Sequence, residues 1–287
     1  MFGLGDIIAE WFRELLIDGI IGNFTGMFEE VNTKVGEIAS QVGQTPTGWN
    51  AGVFNLIRSL SETVVVPIAG VILTFVLCYE LITMIIEKNN MAEFDTFNIY
   101  KWIFKTFVAT YILTNTFNIV MGVFALAQWA VNGSAGIISG SLNMDMALSG
   151  LEAQLATMGT GELVGLYLES AILSLAMKAI SLCVFIIVYG RMIEIYLTCS
   201  IAPIPLATMA NREWGALGNN YLKSLFALAF QGFLILVCVA IYAVLLQGVT
   251  SSSNIHTAIW ECAGYTVLLC FTLFKTGSIS KGFFGAH

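Results

Sequence analysis

The sequence predicts an all-α, polytopic integral membrane protein, with about five transmembrane helices preceded by a set of amphipathic helices. Composition is the first observation. Of 287 residues, 57% are hydrophobic and 11% charged, with a mean hydropathy of +0.82, whereas roughly a quarter of residues are charged in ordinary soluble domains. A soluble chain of this make-up would lack the polar side chains to cover its exterior, and lipid asks for no such cover. The second observation is a series of apolar runs at about 64–86, 103–130, 171–200, 221–247 and 257–276. Each holds about 20 residues or more, enough to cross a hydrocarbon core about 30 Å thick. Only a helix satisfies every backbone group within one such segment.

The third observation is where the basic residues fall. The connection after the first run carries Lys88, Lys101 and Lys105, the one after the third carries Arg212 and Lys223, and the tail after the fifth carries Lys275 and Lys281. The stretch 131–168 holds no Lys or Arg, and neither does "GVTSSSNIHT". The positive-inside rule then places the N-terminus outside and the C-terminus in the cytoplasm after five crossings. Trp102 and Trp129 bracket the second run and Trp260 stands near the outer start of the fifth, as in an aromatic belt. The acidic opening "MFGLGDIIAEWFRELL" lacks the basic start of a signal peptide and reads as uncleaved.

Residues 1–62 form a separate extracytoplasmic amphipathic region, and 63–287 the transmembrane domain. Asp6, Glu10, Glu14 and Asp18 recur every four residues beside Ile7, Ile8, Trp11, Leu15 and Leu16, a drifting acidic stripe on one helix. Phe24, Met27, Phe28, Val31, Val35, Ile38 and Val42 repeat at three and four, which predicts a second helix. A break at "GQTPTGWN" precedes a short third helix through Val53, Phe54, Ile57 and Leu60. The acidic polar face disfavours adsorption to anionic lipid, so protein contact is the expected role. The external loop, about 131–168, is rich in Gly and Ser with one helix expected at about 148–158; a cytoplasmic loop is expected at about 201–220.

Several function classes are excluded. The six cysteines form no Cys-x-x-Cys pair and sit mostly in apolar runs, where they act as small hydrophobes. With two histidines, no Gly-rich phosphate loop, no His-Glu-x-x-His and no base near any Ser or Thr, no active site and no cofactor are expected. A pI near 4.8 speaks against direct nucleic-acid recognition.

The candidate functional residues are polar groups inside apolar runs, where a charge costs about 2.5–3.5 kcal/mol on insertion scales. Lys178 and Arg191 share the third run, so at least one is buried or snorkelling. Arg191 and Glu194 are spaced to meet on one face, either neutralising each other at the inner boundary or forming an inter-subunit or pore-lining pair. Glu80 either pairs with Lys178 or Arg191 or stays protonated or inner-facing. Thr106, Thr110, Thr114 and Asn118, with Asn115 beside them, form a polar stripe on the second run; it is interhelical glue or a wet pore lining. In "SIAPIPLA", Pro203 and Pro205 disfavour helix before them, so Ala202 and Ile204 are expected to be extended and the helix to stop near Ser200. The segment is either a terminator at the headgroups or a re-entrant or partner-docking loop.

Three stretches carry a resemblance to a known family: "VGQTPTGWNAGVFNLIRSLSETVVVPIAG", "FNIYKWIFKTFVATYILTNTFNIVMGVF" and, most specifically, "GRMIEIYLTCSIAPIPLATMANREWGALGNNYLKSLFALAFQGFLI". In these the chain resembles the TrbL-like polytopic membrane subunits of type IV secretion and conjugation machines, most of all those encoded by conjugative elements of Firmicutes. The resemblance implies a non-enzymatic channel or platform subunit in the bacterial cell membrane. Its implied partners are other secretion membrane subunits, the secretion ATPase, copies of itself and membrane lipids, with DNA only as translocated cargo. It marks Arg191, Glu194, Pro203, Pro205, Asn211, Trp214, Lys223 and Gln231 as structural or contact positions, and with Arg212 they suggest that the loop at about 201–222 docks cytoplasmic machinery. The N-terminal helices are then expected to pack between neighbouring copies in a ring. The external loop, about 40 residues here, is shorter than in some relatives, which puts substrate contact by it in doubt. The competing classes are a small-solute transporter or channel and a holin-like pore.

Overall fold

The computed structural model describes residues 4–86, 96–135, 154–249 and 255–286, and these contain helices and turns but no strand. In chain order the helices are α1 (Leu4–Val42), α2 (Pro46–Trp49), α3 (Ala51–Leu60), α4 (Val66–Ile86), α5 (Thr96–Thr114), α6 (Thr116–Ala135), α7 (Thr160–Ile201), α8 (Pro203–Thr208), α9 (Gly215–Val249) and α10 (Ile255–Phe284). Among the described residues, Ala51–Ile86, Thr160–Ile201, Gly215–Leu245 and Trp260–Phe284 are long and apolar enough to cross a membrane. Phe97–Thr114 and Thr116–Gly133 pass the same test only as a pair bent by 69°. The chain is therefore an all-α, multi-pass membrane protein.

The helices depart from the sequence expectations in three places. The two N-terminal amphipathic helices are one, α1, because Leu16, Ile20, Phe24 and Met27 are all buried at three- and four-residue spacing and carry one face straight through the junction. The second apolar run breaks at Asn115. There Thr116 Oγ1 donates to Ile112 O at 2.9 Å and Asn115 Nδ2 to Tyr111 O at 3.0 Å, inserting side-chain donors among the helix carbonyls, a recognised cause of bending. The third run extends to 42 residues, about 63 Å at 1.5 Å per residue, well beyond a hydrocarbon core. The helix expected at about 148–158 lies mostly outside the described residues.

A π-helical turn, Ser61–Val65, joins α3 to α4, and the amide of Val66 bonds Ser61 O. Pro67 explains it. Lacking an N–H, proline cannot bond the carbonyl four residues back, and its ring crowds that carbonyl; one wider turn relieves both faults without ending the helix.

Two units can be distinguished, divided within α7, α9 and α10: residues 1–42, 134–188 and 235–275 form one, and 43–133, 189–234 and 276–287 the other. In the first, α1 lies close on α7. A Cβ on Gly19 would come within 2.5 Å of the Tyr167 ring, and Asn23 Nδ2 donates to Ser170 Oγ at 3.0 Å one turn further on. The second has two cores. Phe54, Phe117, Phe124, Met192, Tyr196 and Leu225 anchor one, with edge-to-face packing of Phe54 on Phe117; Ala69, Leu73, Val76, Leu77, Leu113, Ala207 and Ala210 form the other.

Candidate functional site

The polar residues that lipid would reject gather mostly in the second unit, around the end of α7, α8 and the start of α9. Before Pro203 and Pro205 the backbone is not the extended chain expected of it. Ala202 is helical, at φ −49° and ψ −39°, and Ile204 lies inside α8, so neither is extended. Proline at the first helical position costs no hydrogen bond, since that N–H would be an orphan anyway. Burial then outweighs the mild bias against helix before proline: Pro203, Leu206, Ala207 and Thr208 are buried, with Ala207 in the core built by α4 and α5. Pro203 and Pro205 are thus buried and half-buried in the chain's own packing.

The turn after α8 is held in a fixed shape. Asn211, itself buried, accepts at Oδ1 from the amides of Glu213, at 2.7 Å, and Trp214, at 3.3 Å. Trp214 stacks on Phe75 and Tyr79 of α4, with centroids 5.5 and 5.9 Å away, and the Tyr79 hydroxyl donates to Glu213 at 3.3 Å. Asn211 and Trp214 were marked in the sequence; their aromatic seat was not, although Phe75 and Tyr79, four residues apart on one helix face, carry the signal. Arg212, Glu213 and Trp214 remain exposed, a small charged and aromatic edge on an otherwise buried segment. Lys223 is exposed about two and a half helix turns beyond Trp214.

Arg191 is 7% exposed and forms no direct ion pair among the described residues, although the Glu194 carboxylate lies near enough to attract it. One guanidinium nitrogen reaches the carbonyls of Leu228 and Ala229 at 3.5 and 3.4 Å, and Nε is buried without a hydrogen bond. Glu194 acts on Arg191 by Coulombic attraction without a direct ion pair; its carboxylate makes its direct contact with Lys281 of α10, at 3.5 Å with both side chains half-exposed. Further polar groups line the same seam. Ser280 Oγ donates to Ala227 O at 2.6 Å and Gln231 Nε2 to Thr276 Oγ1 at 3.4 Å, close over Gly277, where an added Cβ would lie 3.3 Å from the amide. Hydroxyls and amides therefore cross between α7, α9 and α10 within the second unit, as expected of helices associating in lipid.

Glu80 pairs with Lys105 of α5, not with Lys178 or Arg191. Trp102 Nε1 donates to Leu77 O at 3.2 Å and fastens the same two helices. Lys178 is exposed on α7 in the first unit. Thr110, Thr114 and Asn118 are exposed at the bend, and the Thr114 hydroxyl bonds Thr110 O and Tyr111 O of its own helix at 3.0 and 3.1 Å. Threonine satisfied in this way is inexpensive in lipid. Among the described residues no three His, Cys, Asp or Glu side chains cluster to hold a metal.

A family model described as TrbL/VirB6 plasmid conjugal transfer like protein matches residues 31–203, more than half of the chain. The match takes in Glu80, the bent pair, Arg191 and Glu194, and stops at Pro203. No curated protein matches the chain, and no solved structure does.

Proposed function

Since the chain belongs to the TrbL/VirB6 plasmid conjugal transfer-like family, we propose that it is a channel or platform subunit of a type IV secretion apparatus, passing DNA or protein across the bacterial cell membrane within an oligomer. The match over residues 31–203 carries this reading. Helices from one chain enclose little room for DNA, so a wide path requires several copies. The reading assigns partners by role: other membrane subunits of the apparatus and the secretion ATPase, with DNA as cargo.

The Lys and Arg asymmetry supports an outside N-terminus and an inside C-terminus. In whole cells, a cysteine at Ile8 should react with a membrane-impermeant thiol reagent beyond the labelling of the native cysteines, and one at Phe283 should not. The reverse pattern would overturn the orientation.

In that orientation the edge at Arg212, Glu213 and Trp214 faces the cytoplasm and is the docking point for the machinery there. Arg212 is exposed, so its charge does not hold the fold together. Arg212→Glu is expected to lower conjugal transfer sharply while the amount of protein in the membrane stays normal; unchanged transfer would sink the docking role.

A small-solute transporter is the second reading, favoured by one feature, the broken pair around Asn115, because broken helices build many midplane sites. Solute uptake by the purified protein alone in liposomes would select it.

A further inference from the structure

Helix α1 has two opposed apolar faces, and the described residues of its own chain fill only one. On the inner side Leu16, Ile20, Phe24 and Met27 are buried, and Gly19 and Asn23 sit against Tyr167 and Ser170 of α7. At about 3.6 residues per turn, Ile7, Ile8, Trp11 and Leu15 project from the opposite side. All four are exposed, Trp11 at 60% and Ile8 at 57%. Such a ridge of large apolar side chains is covered by protein or by lipid.

One edge of the ridge is acidic. Glu10, Glu14 and Asp18 follow it at four-residue intervals, all exposed and none ion-paired among the described residues. The nearest cation on the helix, Arg13, is turned to the inner side, where its guanidinium meets the carbonyls of Ala156 and Met158. It leaves the outer carboxylates without a counter-ion.

We propose that this outer face of α1 seats a basic amphipathic helix from a different protein, its apolar side chains on Ile8, Trp11 and Leu15 and its lysines or arginines against Glu10, Glu14 and Asp18. Charge selects that occupant. The same face of a second copy supplies no cation among the described residues: laid antiparallel, α1 sets carboxylate edge against carboxylate edge, and laid parallel, it sets that edge against Ile8 and Phe12. If the N-terminal helices pack between neighbouring copies in a ring, as the sequence leads one to expect, the contact is therefore not α1 on α1 through this face. Anionic lipid repels the same carboxylates, and a zwitterionic surface leaves them unpaired.

The test uses the full chain in nanodiscs of zwitterionic lipid and two labelled synthetic helices, with leucines at three- and four-residue spacing and either lysine or glutamate along one edge. The lysine helix is expected to bind and the glutamate helix not. The triple variant Glu10→Lys, Glu14→Lys, Asp18→Lys should bind the lysine helix about tenfold more weakly, the sum of three exposed ion pairs, and should now accept the glutamate helix. Binding of the lysine helix that is indifferent to the triple reversal would overturn the proposal. So would a Trp11→Cys variant that cross-links between copies, or one shielded by lipid from a soluble thiol reagent when no helix is added.

Discussion

Replacing Gly218 with alanine is expected to destabilise the protein by about 1–3 kcal/mol or more, the usual range for overpacking a filled site. The new methyl carbon would stand 2.6 Å from the Pro205 carbonyl oxygen and 2.0 Å from Met209 Cγ. The methionine side chain can swing away. The carbonyl belongs to the backbone of α8, which is buried against α4 and α5, and it has nowhere to go. Gly215→Ala is the matched control, since its Cβ would meet Met209 O at an ordinary 3.7 Å. There a gain of up to about 1 kcal/mol is expected from helix propensity. The check is the apparent melting temperature of both variants in detergent; equal behaviour of the two would show that α8 and α9 do not approach as closely as described.

Arg191→Met is expected to act in the opposite direction, raising the melting temperature. A buried guanidinium with two long hydrogen bonds and an unbonded Nε carries a desolvation cost that the attraction of half-exposed Glu194 offsets only in part. Replacing buried charges with apolar side chains of similar volume is often neutral or stabilising, by about 1–4 kcal/mol in measured cases. If Arg191 serves assembly or transport, the stabilised variant should at the same time transfer poorly. A fall in melting temperature would instead make Arg191 a structural residue of the α7–α9 seam.

The sequence disclosed the helices well because the lipid criterion is local: about 20 apolar residues identify a span whatever they touch. The runs at 171–200, 221–247 and 257–276 correspond to parts of α7, α9 and α10. Partners were less legible, because one helix does not reveal which neighbour it meets. Glu80 takes Lys105, and Glu194 takes Lys281, a residue 87 positions downstream in the numbering. Spacing along α7 suggested Arg191 for Glu194, but three-residue proximity offers a meeting and does not compel one. The bend at Asn115 was hidden for a related reason. Its polar residues were visible as a stripe, yet whether they bond across helices or back onto their own carbonyls depends on the packing around them. At "APIP" the local rule against helix before proline lost to burial, an effect of α4 and α5 that lies far away in sequence.

Every role proposed for this protein depends on its membership of a working transfer apparatus. The most direct measurement is the frequency of conjugal transfer from the native host after in-frame removal of this chain's gene, with and without the wild-type gene supplied in trans. Transfer is expected to fall to the background of the assay and to return on complementation, in cells whose growth and membrane integrity are otherwise normal. Undiminished transfer without the gene would contradict the account.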